Sequence, residues 1–377
     1  MKYLKIILSY EIKGKVLALG AQSKSSFCLA EGNSMYLSDS GGDLGDLGNF
    51  KFFEKQIKIL QKKLRIKPSI IACDMHPEYI STKYANELVK GEGLRVNGIQ
   101  HHEAHVASCI VDNNIKGKVI GVAFDGTGFG LDGNIWGGEF FVGDLKGLKR
   151  IAHLKYIPMP SAEACIREPW RMALSYLYSI YGRAMKNLKI DFVSKMNKEK
   201  MDFLIQMIDK RINSPLTSSI GRLFDAISAL IGVCSYTKYE GEPAIELEQK
   251  IQKVVGKWWM VDGYNFNITE EREKGFIIDA DLVIKGTVRD LRNRVPNAII
   301  SLKFHNTVCA IIKDVCILLR KKYNINKVCL SGGVFQNKYL RENTKLILEK
   351  EGFKAYLHNR VPANDGGIAL GQAVLAR

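Results

Sequence analysis

A chain of 377 residues that is 46% hydrophobic and 25% charged has enough apolar material for two ordinary domains, which excludes a disordered or fibrous protein. No apolar run reaches the ~18 residues of a membrane span, and the apolar start Met1–Tyr10 is cut by Lys5 and lacks a small-residue cleavage site. The expectation is therefore a cytoplasmic protein with no membrane association. A net charge of +16 admits nucleic acid or an acidic partner. The basic residues, however, lie along amphipathic helices (51–63, 186–200, 320–327) without interleaved aromatics, so nucleic acid is disfavoured. The eight cysteines are scattered and form no C-x-x-C, which excludes a zinc knuckle or redox pair and predicts buried free thiols.

In chain order, Val16–Ala21, Phe27–Ala30 and Met35–Asp39 read as three short strands, with a polar tip, Gln22–Ser26, between the first two. The glycine-rich stretch 41–49 leads into helix 50–64, which has one basic face. A buried strand, 69–73, ends in Asp74-Met75-His76-Pro77. Helix 79–90, strand 95–100 and helix 101–111 follow.

That last helix carries His101-His102-Glu103-Ala104-His105, three of the chain's seven histidines. His101 and His105 stand i, i+4 and share a helix face, which suits two imidazoles closing on one metal ion. The cluster is not a zinc-protease motif, because only two residues separate His102 from His105. The next strand, 119–124, delivers Asp125 as a third, oxygen ligand. Gly126-Thr127-Gly128 then reads as a loop offering backbone N–H groups to a phosphate. Alone, the histidines describe a hydrogen-bonded core pair equally well, and Asp-Gly a turn; together they point to a metal beside a nucleotide.

Residues 159–276 read as mainly helical. Arg167-Glu168-Pro169-Trp170-Arg171 precedes helix 172–181, and a turn at 213–219 leads into helix 220–233. There Gly221 and Asp225 share a face, which suits either a base and ribose or a close packing contact. The last third alternates again. Helix 297–322 contains His305. Strand 327–330 ends in Ser331-Gly332-Gly333-Val334-Phe335-Gln336-Asn337, followed by helix 338–351, strand 353–358, the turn Ala363-Asn364-Asp365-Gly366-Gly367 and a closing helix, 368–377. Both turns place N–H groups against an anion, and Asp365 adds a carboxylate for a metal. The expected fold is α/β and actin/sugar-kinase-like. Two α/β halves, 1–150 and 151–377, would flank a nucleotide cleft, with a helical insertion at about 160–276.

Taken together, HHEAH, AFDGTGFGLDGNIWGGEFF, IREPWRMAL, NSPLTSSIGRLFDAI, YEG, FHN, SGGVFQN and NDGGIALGQ resemble the C-terminal domain of the HypF carbamoyltransferases of [NiFe]-hydrogenase maturation. That domain is similar to the tRNA threonylcarbamoyltransferase subunit and to antibiotic O-carbamoyltransferases. The resemblance implies a divalent metal, iron before magnesium or zinc, on His101, His105, Asp125 and Asp365, which are also the catalytic set. It implies a nucleotide held by Gly126, Thr127, Gly128, Gly332, Gly333 and Asn337, with Gly221 and Asp225 at the ribose. Lys24, Asp74, His76, Arg167, Arg171 and His305 stand at further family positions. The implied reaction passes a carbamoyl group from ATP-derived carbamoyl-adenylate to the C-terminal cysteine thiolate of a HypE-like partner. The family's acylphosphatase, zinc-finger and adenylate-forming modules have no counterpart in these residues. Either the sequence is a cut-down form or a separate protein supplies carbamoyl-adenylate. Two motifs depart from the family: Gly20-Ala21-Gln22-Ser23-Lys24 stands for G-G-E-L-K, and Pro160-Ser161-Ala162-Glu163 for P-G-G-D. Competing readings are transfer to tRNA or a small alcohol, a non-catalytic nucleotide-binding scaffold, and a kinase-like ATPase.

Overall fold

The computed structural model describes residues 2–90, 93–252, 261–273 and 275–376. The stretch 253–260, part of the expected helical middle, lies outside the described residues.

The first sheet has the order β2-β1-β3-β4: β1 (Tyr3–Ala18), β2 (Cys28–Ser38), β3 (Ile70–Asp74) and β4 (Arg95–Ile99). Strands β1 and β2 are antiparallel, while β3 and β4 add in parallel. Helices α1 (Leu47–Leu64), α2 (Ile80–Leu88) and α3 (His101–Asp112) connect this region. Where three short strands were expected, two long ones form. The first starts at Tyr3 because Ile6 and Leu8 alternate into the core opposite exposed Lys5 and Ile7.

The second sheet runs β10-β11-β7-β6-β5-β12-β13. Its strands are β5 (Val119–Phe129), β6 (Ile135–Asp144), β7 (Gly147–Leu154), β8 (Ile157–Pro158), β9 (Leu216–Thr217), β10 (Asn267–Glu271), β11 (Gly275–Asp279), β12 (Lys327–Ser331) and β13 (Lys354–Tyr356), with β8 and β9 as a short side branch. Strands β5, β6 and β7 form an antiparallel meander, and β12 and β13 extend it in parallel from β5. Each half thus repeats one plan, a hairpin extended by parallel strands and covered by helices, which is the actin/sugar-kinase architecture.

The middle supplies α4 (Ala164–Arg167), α5 (Trp170–Tyr181), α6 (Asp191–Ser194), α7 (Lys198–Asp209), α8 (Ile220–Leu230) and α9 (Glu242–Ile251). The last third adds α10 (Asp281–Arg292), α11 (Asn297–Tyr323), α12 (Lys338–Lys350) and α13 (Ile368–Leu375). Strands β7, β10 and β11 and helix α10 were not anticipated. Sheet membership changes between Asp112 and Val119 rather than at residue 150, since β5–β7 pair with the strands of the C-terminal part. Helix α13 returns to the first half and packs with Ile6, Val16 and Ala72.

Among the described residues no helix is long and apolar enough to cross a membrane. All eight cysteines are free and buried.

Helices α3 and α13 lie together between the sheets. In α3 every residue but Glu103 is buried. Ala104, Ala107 and Val111 face the first core with α13, while Val106, Cys109 and Ile110 face β5, β6 and β12. A Cβ on Gly371 of α13 would stand 1.9 Å from the Ala104 carbonyl oxygen, so glycine is required for this approach. Buried Gln372 then clamps the β1–β2 connection: its Oε1 accepts from the Gly20 N–H (2.8 Å) and its Nε2 donates to the Gly20 carbonyl (3.0 Å). Replacing Gln372 with Leu strands both Gly20 groups in the core, so Gln372→Leu is expected to cost roughly 2–4 kcal/mol of unfolding free energy by urea titration. A loss under half a kilocalorie would show that the clamp carries no stability.

Candidate functional site

Four side chains from three segments converge where α3, β5 and the start of α13 meet. Gln100 caps α3, its side-chain oxygen accepting from the N–H groups of His102 (2.7 Å) and Glu103 (2.9 Å). Its amide donates to the Phe129 carbonyl (3.0 Å), which ties the helix start to β5. One turn apart, the Nε2 atoms of His101 and His105 point at one carboxylate oxygen, Asp125 Oδ2, at 3.2 and 3.0 Å. Asp365 Oδ1 lies 3.7 Å from His101 Nε2 and 3.6 Å from His105 Nε2. One atom from each residue lies within 4.8 Å of all the others. Nitrogen and oxygen donors about 2.1 Å from a shared ion stand roughly 3.0–3.4 Å apart at adjacent positions, or about 4.2 Å when opposite. The histidine–Asp125 distances meet this spacing and the Asp365 distances are slightly long, so the four groups could hold an ion after a small closing shift of Asp365.

The surrounding bonds aim these donors. Asp74 Oδ2 sits 2.7 Å from His101 Nδ1, with both groups buried, in the carboxylate–histidine arrangement that fixes a ligating imidazole. The spare oxygen of Asp125 accepts from the Gly126 (2.8 Å) and Gly333 (3.2 Å) N–H groups. The spare oxygen of Asp365 accepts from Ser23 Oγ (3.0 Å). Burial alone would lower both imidazoles. For His101 the Asp74 charge and the Asp125 and Asp74 hydrogen bonds outweigh it, holding that ring well above the ordinary histidine value. For His105 the Asp125 and Asp365 hydrogen bonds also win, and the ring is raised. Asp125, although buried, is held well below the usual carboxylate range by the two histidines. His102 takes no part; its Nδ1 meets the Gln100 amide (3.2 Å), and burial keeps it neutral.

Asp125 and Asp365 of this set line a cleft of about 960 Å³, in the size range of a small-molecule site, with the two histidines buried behind them. Gly126, Thr127, Gly128, Gly221, Asp225, Gly333 and Asn337 line it, as do Lys24 and His76. Residues 126–128 are not a loop, as expected, but a bulge inside β5; pairing with β6 shifts register after Phe124 and resumes at Gly128 opposite Trp136. Gly221 packs rather than opens, since a Cβ there would stand 2.8 Å from the Gly126 Cα. Gly332, at φ +101°, turns the chain over Phe124 and does not line the cleft. Asn337 spends its side chain internally, its oxygen capping α12 at Leu340 and its amide donating to His305 Nε2 (3.0 Å).

His305 itself lies behind the cleft wall, donates from Nδ1 to the Ser301 carbonyl, and is pushed to about 4 by burial. His76 stacks on Tyr79, with centroids 4.2 Å apart. Lys24 is gripped by both oxygens of Glu240 (2.9 Å), a contact from the β1–β2 tip to the turn before α9. Arg167 and Arg171 stand outside the cleft. Arg167 pairs with Glu163 at the surface, and Arg171 is held by Glu168 (2.6 Å) and Ser161 Oγ (2.9 Å) because a guanidinium one turn from a carboxylate closes locally first. Sequence reasoning missed Ser23 and Gln372, which fix Asp365 and α13, and Arg222, which lines the cleft.

The chain is similar to known proteins. The family model described as "Carbamoyltransferase, Kae1-like Domain, second subdomain" matches residues 121–372, and "HypF Kae1-like domain" matches 11–112. The chain belongs to the HypF carbamoyltransferase family. It is 33% identical to the carbamoyltransferase HypF of Synechocystis sp., over 97% of this chain and 48% of that protein. It is 29% identical to a carbamoyltransferase HypF homolog of Cupriavidus necator, over 96% of this chain and 91% of that one. A full-length HypF solved in a phosphate- and nucleotide-bound form superposes with TM-score 0.91 at 40% identity, covering 98% of this chain and 56% of that one. The chain thus spans about half the length of the Synechocystis relative.

One turn beside the cleft carries a backbone cost. Ser161 and Ala162 hold φ of +69° and +46°, the left-handed region that disfavours a Cβ. Ala162→Gly is expected to raise unfolding stability by about 0.5–1 kcal/mol in chemical denaturation. Unchanged or lower stability would show that this turn is unstrained.

Proposed function

We propose that the chain is a carbamoyl-transfer domain: a divalent metal on His101, His105, Asp125 and Asp365 adjoins an adenylate in the cleft, and the carbamoyl group passes from carbamoyl-adenylate to the C-terminal cysteine thiolate of a HypE-like protein. The observation that carries this is the convergence of two imidazoles and two carboxylates beside the cleft in a chain of the HypF family. The mixed nitrogen and oxygen donor set suits iron or zinc better than magnesium, with iron favoured. When bound, the ion supplies a Lewis acid for a phosphoryl or carbamoyl oxygen.

The chain's own groups do the rest. Asp74 locks the His101 ring with Nε2 turned inward, and Ser23, Gly126 and Gly333 hold the spare carboxylate oxygens so that the facing ones stay fixed. The acceptor thiolate attacks the carbamoyl carbon, the C–S bond forms, and the C–O bond to phosphate breaks with AMP leaving on the electron pair. The nucleophile has to come from the acceptor. Every cysteine here is buried, and burial pushes Cys28, Cys165 and Cys309 up to about 12, far from the thiolate form. The donor, carbamoyl-adenylate, would be made by a separate adenylate-forming protein or domain.

His101→Ala and His105→Ala are each expected to lose the metal and to abolish transfer while the fold survives, and Asp365→Ala to follow them. Asp74→Asn is expected to weaken metal binding by roughly 10–100-fold. Elemental analysis gives metal content. Incubation with synthetic carbamoyl-adenylate and a HypE-like protein, then weighing that protein, gives transfer. Full metal content in both histidine variants would contradict the proposal, as would an acceptor that gains no carbamoyl mass from the intact chain.

A further inference from the structure

Two fixed cations among the described residues line the cleft, Lys24 and Arg222. Lys24 is neutralised by Glu240, which meets it with both oxygens at 2.9 Å. Arg222 is in a different state. It is 7% exposed, in the first turn of α8, and its Nε and Nη1 atoms are buried without a hydrogen-bond partner. Its neighbour Asp225 has Oδ2 2.9 Å from Arg222 Nε, yet the approach lies off the N–H direction and Oδ2 is also unpartnered. Burial raises the Asp225 carboxyl to about 6 in spite of that guanidinium. A buried guanidinium whose one carboxylate neighbour is poorly aligned keeps an incompletely compensated charge, which favours an anion beside it.

Its position says which ligand. The third nitrogen, Nη2, lies 3.8 Å from where a Cβ on Gly126 would stand, beside the residue that follows Asp125. Arg222 therefore lines the same cleft as Asp125 and Asp365, with Asp225 on its Nε side and Gly126, the neighbour of the metal-site Asp125, on its Nη2 side. Nε and Nη1 are sealed inside, so an anion in the cleft meets the guanidinium at Nη2, a charged donor suited to a phosphate oxygen. Resting on the reading of this cleft as a nucleotide site, we propose that Arg222 binds the phosphoryl anion of the nucleotide, setting the depth at which an adenylate stops relative to the metal donors. It is a binding residue additional to the glycine turns, and it is filled only when a phosphorylated ligand is present.

The test is calorimetric titration of the full chain, with and without EDTA, using AMP and adenosine as probes. The unaltered chain should bind AMP at least tenfold more tightly than adenosine even in EDTA, where no cation bridges the phosphate. Arg222→Gln should erase that preference by weakening AMP alone, with adenosine affinity and metal content unchanged, and Arg222→Lys should retain part of it. Equal weakening of both probes in Arg222→Gln, or unaltered AMP binding, would overturn the proposal. So would equal affinity of the unaltered chain for the two probes in EDTA, a result that needs no folded variant. A chain that binds neither probe removes the nucleotide reading itself, and the Arg222 assignment with it, whereas AMP binding independent of Arg222 removes the assignment alone.

Discussion

Two imidazoles and the Asp125 carboxylate are buried between the sheets, with the partly exposed Asp365 carboxylate against them, and that arrangement stands only while the groups answer one another. Isolated, each would carry a desolvation penalty of several kcal/mol. Here the charges are set face to face: His101 and His105 are held toward the protonated form and Asp125 toward the ionised form. The contact depends on α3, which is buried on nearly every side and touches both cores. It depends equally on α13, which brings Asp365 back from the other end of the chain and lies against α3 at Gly371. The polar devices of the fold serve the same end. Gln372 pins α13 to Gly20, Ser23 steadies Asp365, and Asp74 orients His101.

The same packing makes the cleft. Because α3 and α13 fill the space between the sheets, the groove above them is walled by the β1–β2 tip on one side and by α8, α9 and the β12–α12 turn on the other. Lys24 and Glu240 join those walls by a partly exposed ion pair, worth little as stability but placed where the halves approach. The bulge in β5 sets Asp125 and Gly126 out of the regular ladder, so one turns to the histidines and the other lies beside Arg222. One local irregularity therefore serves both the donor cluster and the wall that Arg222 occupies.

Much of this was legible because the signals were local. The i, i+4 histidines, the Asp after an apolar run and the Asn-Asp-Gly-Gly turn each announce a donor within a few residues, and the alternation of strand and helix announces the two halves. Elsewhere the local signal misled. Asp125-Gly126 reads as a turn, but hydrogen bonding to β6 continues beyond it, so the chain stays extended. In β1 the period-two pattern is interrupted by register shifts between Ile7 and Lys15, which hides one long strand as a short one. Arg167 and Arg171 looked like site residues, yet each has a carboxylate one turn away. Arg222 was invisible because its burial depends on how closely α8 seats on β5, a contact set by Gly221 meeting Gly126. Division into halves by sequence missed that β5–β7 belong with the later strands, since pairing over two hundred residues leaves no mark in either segment.

The central claim is that one ion joins residues from the middle and the end of the chain. The direct measurement is anomalous diffraction from crystals of the metal-loaded protein, collected at the edge of the metal that elemental analysis identifies. The account predicts a single strong peak about 2.1 Å from His101 Nε2, His105 Nε2 and one oxygen each of Asp125 and Asp365. A peak bound elsewhere, or one held by the histidines with Asp365 turned away, would contradict it.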